Sequence, residues 1–237
     1  MMLNQNTFQA ISESVVFVLD TSGRLWIDRG PFPTMVPPPR TEIDSSVWTF
    51  QALSETEVIV LGSDFNLWLE HGPFGAIPPV RREQIDANVN AYQAITDTKV
   101  FVLRRDNTLW LELGPFGTVS PLRQQVDASV KAFRALSDTE VLVLGTDGNL
   151  WLESGPFGAI PPPRQEIEVN VSAFHPLSNT QTMVLLNSGA LQLNYSLTPL
   201  GHYLPALYFA YNTGAAQVET PSIDFNSILK TAAQRSD

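Results

Sequence analysis

Residues 133–173 read FRALSDTEVLVLGTDGNLWLESGPFGAIPPPRQEIEVNVSA, and this stretch decides the fold because the chain repeats it. Its Leu-Trp pair ends at Trp151 and recurs at Trp26, Trp68 and Trp110, with spacings of 42, 42 and 41 residues. Gly-Pro-Phe follows every pair, opening at Gly30, Gly72, Gly114 and Gly155. An aromatic residue precedes each: Phe8, Phe50, Tyr92 and Phe133. Phe174 begins a fifth copy, which continues through Met183-Val184-Leu185-Leu186 and the turn Asn187-Ser188-Gly189 to Leu191-Gln192-Leu193. In that copy Gln192 stands at the tryptophan position.

Each copy is patterned for strands. Phe50-Gln51-Ala52-Leu53 alternates with period two, and Val58-Ile59-Val60-Leu61 has the length and continuity of a strand buried on both faces. Asp147-Gly148 is a strong hairpin signal ahead of Asn149-Leu150-Trp151-Leu152-Glu153. The prolines that follow interrupt any sheet, because proline cannot donate to a ladder. A last strand is expected over the pattern of Arg123, Val126, Asp127 and Val130. No segment before residue 225 carries a helical period.

About four short strands in a unit of roughly 40–50 residues is the pattern of a propeller blade. The expectation is therefore an all-β, five-bladed β-propeller in one domain, residues 1–237, built from four-stranded repeats of ~42 residues. The repeats run over 8–49, 50–91, 92–132, 133–173 and 174–228, with a tail at 229–237. The fifth is degenerate and carries an insertion around 200–220. Ring closure is expected from Pro221-Ser222-Ile223-Asp224, which matches the Ile-Asp strand of the other copies.

Composition narrows the function classes. The chain has 237 residues and no cysteine, which excludes disulfides, thiolate metal sites and thiol catalysis. Lys+Arg is 14 against Asp+Glu 24, a net charge of −10. That balance argues against a nucleic-acid partner or an anionic membrane surface. The apolar stretch from Leu204 to Tyr211 is broken by Pro205 and too short to span a bilayer, so no membrane insertion is expected. Met1-Met2-Leu3-Asn4-Gln5-Asn6 offers no signal-peptide pattern. A cytoplasmic location is the expectation, with non-classical release left open.

The order Ile-Asp-x-x-Val-x-Ala-Phe, a hairpin, then Leu-Trp resembles tectonin-type repeats, and the resemblance covers residues 8 to about 195. Five-bladed members, the tachylectin-like sugar-binding propellers, are of similar length. The resemblance implies a lectin-like protein binding glycans in repeated clefts between blades. Where those repeats carry a glycine between the Ile and the Val, this chain has Ser45-Ser46, Ala87-Asn88 and Ala128-Ser129.

Three recurrent sets could carry such a function. Trp26, Trp68, Trp110 and Trp151 offer flat apolar faces for stacking on sugar rings; they could equally fill the space between blades. Arg40, Arg82, Arg123 and Arg164 each precede the Ile or Val of the last strand by three residues, and a guanidinium suits carboxylates or paired hydroxyls. Asp28, Glu70, Glu112 and Glu153 lie two residues beyond the tryptophans. The structural alternative pairs these acids with the arginines between blades. A further acid, at Asp44, Asp86, Asp127 and Glu168, suits turn hydrogen bonds. Gly-Pro-Phe reads as loop architecture, glycine supplying an unusual φ and Phe an anchor.

No catalytic constellation is evident. His71, His175 and His202 stand in unrelated contexts and not at metal-ligand spacing, so neither a metal nor a cofactor is expected. The aromatic segment around Leu200 is the exception to the repeat. It could be a closure device, a homodimer contact, or a single pocket with His202, Tyr203 and Tyr208 as acid/base candidates. The leading expectation is a non-enzymatic glycan-binding propeller. A protein-interaction platform and a small-molecule enzyme at the fifth blade are the alternatives.

Overall fold

The computed structural model describes residues 7–32, 39–74, 81–117, 122–158, 162–178 and 180–195, and all regular structure in them is β. The first sheet contains β1 (Thr7–Ser12), β2 (Val15–Leu19), β3 (Leu25–Arg29) and β4 (Arg40–Asp44). The second contains β5 (Val47–Ser54), β6 (Glu57–Gly62), β7 (Leu67–His71) and β8 (Arg81–Asp86). In the third are β9 (Val89–Thr96), β10 (Lys99–Arg104), β11 (Leu109–Leu113) and β12 (Leu122–Asp127). The fourth holds β13 (Val130–Ala135), β14 (Glu140–Gly145), β15 (Leu150–Ser154) and β16 (Arg164–Glu168). The fifth shows three strands, β17 (Val171–Ser178), β18 (Gln181–Leu186) and β19 (Leu191–Tyr195). Every sheet is an antiparallel meander in chain order, and together they form a five-bladed β-propeller.

The second strand of a blade explains why the blades stack. In β6, Val58 and Val60 pack with Phe17, Leu25 and Ile27 of the first blade. Ile59 and Leu61, one residue out of phase, pack with Val100, Val102 and Tyr92 of the third. All four β6 residues are fully buried. The same alternation carries β10 and β14 into the next two clusters. Side chains on a strand point to opposite faces with period two, so a continuous apolar run needs a neighbour on each side.

The first residue of each aromatic set plugs the preceding joint. Phe50, Tyr92 and Phe133 are buried, and the Tyr92 hydroxyl donates to the Ile59 carbonyl at 3.1 Å. Phe8, their counterpart in the first blade, is 66% exposed, and Leu191 and Leu193 of the fifth are each 39% exposed. These residues mark the seam between blades five and one. The closure segment 221–224, the insertion at 200–220 and the tail lie outside the described residues.

Polar ties run between the innermost strands. The Gln9 side-chain amide donates to the Ala52 carbonyl and accepts from the Ala52 N–H, both at 2.8 Å. Gln51 grips Ala94 in the same way at 3.1 and 3.0 Å, and Gln93 grips Ala135 at 2.9 and 2.8 Å. A side-chain amide thus replaces a neighbouring strand at the inner edge of each blade. At the next joint the pair changes together: Arg134 stands in the glutamine position, and Pro176, which has no N–H, stands in the alanine position.

Two local expectations are corrected. Arg123, Val126, Asp127 and Val130 do not share one strand: β12 ends at Asp127, and a turn separates it from Val130, the start of β13. Ser46, Asn88, Ser129 and Asn170 make that turn with φ near 60°, so the blade boundary falls there rather than at the aromatic residue. Gly30, Gly72, Gly114 and Gly155 do not take a positive φ. At Gly30, Gly72 and Gly114 the requirement is close approach: the Gly114 N–H donates to Thr98 O at 2.8 Å, and a Cβ would lie 3.2 Å from Thr98 Cα. The following Phe74, Phe116 and Phe157 are buried in the joint with the preceding blade; Phe74 meets Phe17 edge-on at 5.9 Å.

Replacing Gln93, which is 3% exposed, by Leu leaves the Ala135 N–H and carbonyl buried without partners. A loss of about 2–4 kcal/mol in a urea-unfolding titration is expected.

Candidate functional site

The repeated tryptophans sit on the third strand of the first four blades, on the face opposite the buried aliphatic residues. In β7, Leu67 and Leu69 point toward the third blade, so Trp68 and Glu70 point toward the first. Trp26, Trp68, Trp110 and Trp151 are all half-buried. A guanidinium covers every one of these rings: Arg40 at 5.6 Å from the Trp26 centroid, Arg82 at 4.1 Å from Trp68, and Arg164 at 4.3 Å from Trp151. Trp110 has two, Arg123 at 4.6 Å and Arg104 at 5.5 Å. Two indole N–H groups are committed to their own hairpins, Trp26 to Asp20 at 2.9 Å and Trp110 to Thr108 at 2.8 Å.

The structure therefore brings the Trp, Arg and acidic sets together in each of the first four blades. The register explains it. Arg40 lies directly across from Asp28 in the β3/β4 ladder, as Arg82 does from Glu70, Arg123 from Glu112 and Arg164 from Glu153. Arg40 and Asp28 form a two-pronged pair, with both contacts at 2.7 Å. Where these two sets form an ion pair, Arg40 with Asp28 and Arg82 with Glu70, it lies within a blade, not between blades as the sequence alternative had it. Ties between blades use the third acid instead. Arg82 reaches Asp44 at 3.6 Å, Arg104 clasps Asp86, and Arg164 approaches Asp127 at 4.0 Å.

Those aspartates also make the turn bonds expected of them. Asp44 accepts from Ser45 N at 2.7 Å, Asp86 from Ala87 N at 2.8 Å and Asp127 from Ala128 N at 2.7 Å. Each then faces the buried glutamate of the next blade. Burial, followed by the charge of Asp44, pushes Glu70 up to about 8. Burial and Asp86 push Glu112 up to about 7, with Arg123 and Arg104 opposing. Burial and the neighbouring Asp127 push Glu153 up to about 9, with Arg164 opposing. Desolvation dominates in all three, because a charged carboxylate loses its water in the joint.

A second cluster lies at the end of the blades where β2–β3-type hairpins meet the inter-blade turns. Trp48 of β5 meets Phe65 edge-on at 4.9 Å, and the Arg105 guanidinium of the third blade lies 4.1 Å over the Phe65 ring. Trp48 and Phe65 are half-buried and Arg105 is exposed. Phe65 occupies the left-handed position of its hairpin with φ 66°, where the other blades have Gly23, Asn107, Gly148 and Gly189. A bulky residue there is a true outlier, with a cost of about 1–2 kcal/mol. Trp48 likewise replaces the polar residues Asn90, Lys131 and Ser172 of the sibling strands. Sequence reasoning passed over this cluster because it looked for what repeats; the signal was a departure from the repeat at two neighbouring positions.

The histidines do not converge. His71 lies between Glu57 at 3.4 Å and Glu83 at 3.9 Å, and His175 sits on β17 with its titration pushed down by burial and then by Arg134. His202, Tyr203 and Tyr208 lie outside the described residues. Among the described residues no group of three or more His, Asp or Glu is placed to hold a metal ion.

Neither a protein-family model nor a curated protein sequence matches the chain. Solved structures do. The N-terminal domain of Nup159 matches with a TM-score of 0.51 at 12% identity, over 80% of this chain and 59% of that one. YCF48 from Cyanidioschyzon merolae matches with a TM-score of 0.52 at 11% identity, over 80% of this chain and 68% of that one. This chain therefore spans about three-fifths of the Nup159 domain. Both are β-propellers, and likeness at this level of identity speaks to architecture: this chain is a β-propeller repeat protein.

Proposed function

We propose that the protein is a non-catalytic interaction platform that binds a partner protein through the hairpin end of the second and third blades. The observation that carries this reading is the Trp48–Phe65–Arg105 cluster. Trp and Arg are enriched where a few residues dominate a protein interface, and phenylalanine adds apolar area beside them. A strained Phe65 at a glycine position has no role in repeating the blade, whereas siblings with Gly or Asn form the same hairpin without strain. Asp64 and Asp106 are occupied in their own turns, with Asn66 and Thr108. Arg105 is thus the exposed cation beside the aromatic pair. The partner that fits offers an apolar side chain flanked by a carboxylate, which the guanidinium fork takes in two-pronged fashion.

Affinity capture with wild-type protein and with Phe65→Gly, followed by calorimetric titration of each captured protein in purified form, tests this. At least one partner is expected to bind one per chain and to weaken by roughly 30-fold or more with Phe65→Gly, Trp48→Ala or Arg105→Ala. Stability of Phe65→Gly is expected within about 1 kcal/mol of wild type, since relief of strain offsets the lost ring contact. Equal affinity of every captured protein for wild type and all three variants would overturn the reading.

Glycan binding in the manner of tectonin-type lectins is a second reading, favoured by the Trp–Arg–acid group that recurs in four blades. A sugar would have to share the indole with the guanidinium already over it. On this reading a glycan array returns a hit whose stoichiometry is about four per chain, and Trp68→Ala and Trp110→Ala reduce binding in steps. An array without a hit removes it.

A further inference from the structure

Three joints between blades bring two carboxyl groups face to face, and the partner-binding reading does not use them. Glu112 and Glu153 are fully buried, and no protein donor reaches either carboxyl oxygen of either residue. Glu70 is 2% exposed, with Oε2 lacking a donor and Oε1 lying 3.6 Å from Arg82. Each faces an aspartate of the preceding blade: Asp44 for Glu70, Asp86 for Glu112 and Asp127 for Glu153. The cations that face these pairs are Arg82 at the first joint, Arg104 and Arg123 at the second, and Arg164 at the third.

The donors are unevenly shared. Every aspartate receives a backbone N–H and an arginine from the next blade. Glu112 and Glu153 receive no hydrogen bond, and a buried carboxylate without donors is far costlier than a carboxylic acid. Two contacting carboxylates cannot both ionise readily, so the proton belongs on the glutamate.

The fourth joint supplies a control within the same molecule. Asn194 holds the position of Glu153, and Glu168 holds that of Asp127. The Asn194 side-chain N–H donates to Glu168 Oε2 at 3.1 Å, 26 residues apart in sequence, the same offset as in the three acid pairs. An amide carries its donor at every pH. Where the amide is absent, a proton must take its place.

We propose that Glu70, Glu112 and Glu153 are proton-bearing ties, each donating from a protonated carboxyl to the aspartate of the preceding blade, so that alkali sets like charges against one another and loosens these three joints. The fourth joint, closed by Asn194, stays indifferent to pH. The folded protein holds protons on these groups above the ordinary glutamate value of 4.5. The unfolded chain has released them there. Their contribution is therefore complete below that value, declines as pH rises through the folded values of about 7 to about 9, and is gone above them.

Thermal unfolding of the full chain at a series of pH values from about 5 to about 9 tests this, for wild type and for the triple variant Glu70→Gln/Glu112→Gln/Glu153→Gln. Glutamine presents the permanent donor that Asn194 presents. Wild type is expected to lose roughly 5 °C or more in Tm across the range, and the triple variant to lose less than half of that. Equal slopes for the two proteins would overturn the proposal. Should the triple variant not fold, infrared spectroscopy of wild type decides: a protonated-carboxyl C=O band must be present at about pH 6 and disappear on titration to about pH 10. Absence of that band at the lower pH also overturns it. Asn194→Glu is expected to make the pH slope steeper than that of wild type.

Discussion

A blade of this propeller has no interior of its own. Val58 and Val60 leave water only against the first blade, and Ile59 and Leu61 only against the third. Each fully buried Val, Ile or Leu side chain is worth about 1.5–3 kcal/mol, so the apolar cores lie between sheets rather than within them. Everything else follows from that placement. Phe50, Tyr92 and Phe133, the Phe of the second, third and fourth Gly-Pro-Phe loops, and the apolar residues flanking each tryptophan all converge on a joint. Phe8, Leu191 and Leu193 are exposed at the seam where the described residues stop.

Cores between sheets force polar groups of neighbouring blades to meet out of water, where an unmatched partner is expensive. The molecule meets this demand three ways. Along the inner strands, Gln9, Gln51 and Gln93 match an N–H and a carbonyl at once. Toward the perimeter, arginines lie over the tryptophans and reach carboxylates of the same or the preceding blade. Between these layers sit the carboxyl pairs, balanced by a proton or, once, by an amide. A repeat imposes one solution three times over. The joint with the fifth blade departs from it in concert, with Arg134 and Pro176 replacing Gln and Ala, and Asn194 replacing Glu.

Departures elsewhere have the opposite character. Phe65 and Trp48 answer no demand of the joint: one strains its hairpin, and both replace residues that serve the sibling blades well. Residues that repeat line the joints, and each repeated tryptophan lies under a guanidinium. Residues that break the pattern at a local cost are where the proposed recognition of a partner would find its footing.

The sequence by itself determined the fold class. A spacing of 42 residues, a both-face apolar run and a Pro-rich break recur often enough to define a four-stranded unit, because strand periodicity and turn chemistry act over a few neighbouring residues. Candidate residues were legible as sets for the same reason, and the cross-strand meeting of Arg with the acid beyond each Trp needed only the register of one hairpin. Only the tertiary structure decided which acid faces which. Asp44 meets Glu70, and Gln93 meets Ala135, across a joint whose partners are separated by 26 and 42 residues and by no local pattern. Phe65 over Trp48 and under Arg105 was equally out of reach. Blade packing sets these contacts, and packing depends on the twist and spacing of whole sheets, which no short window of sequence contains.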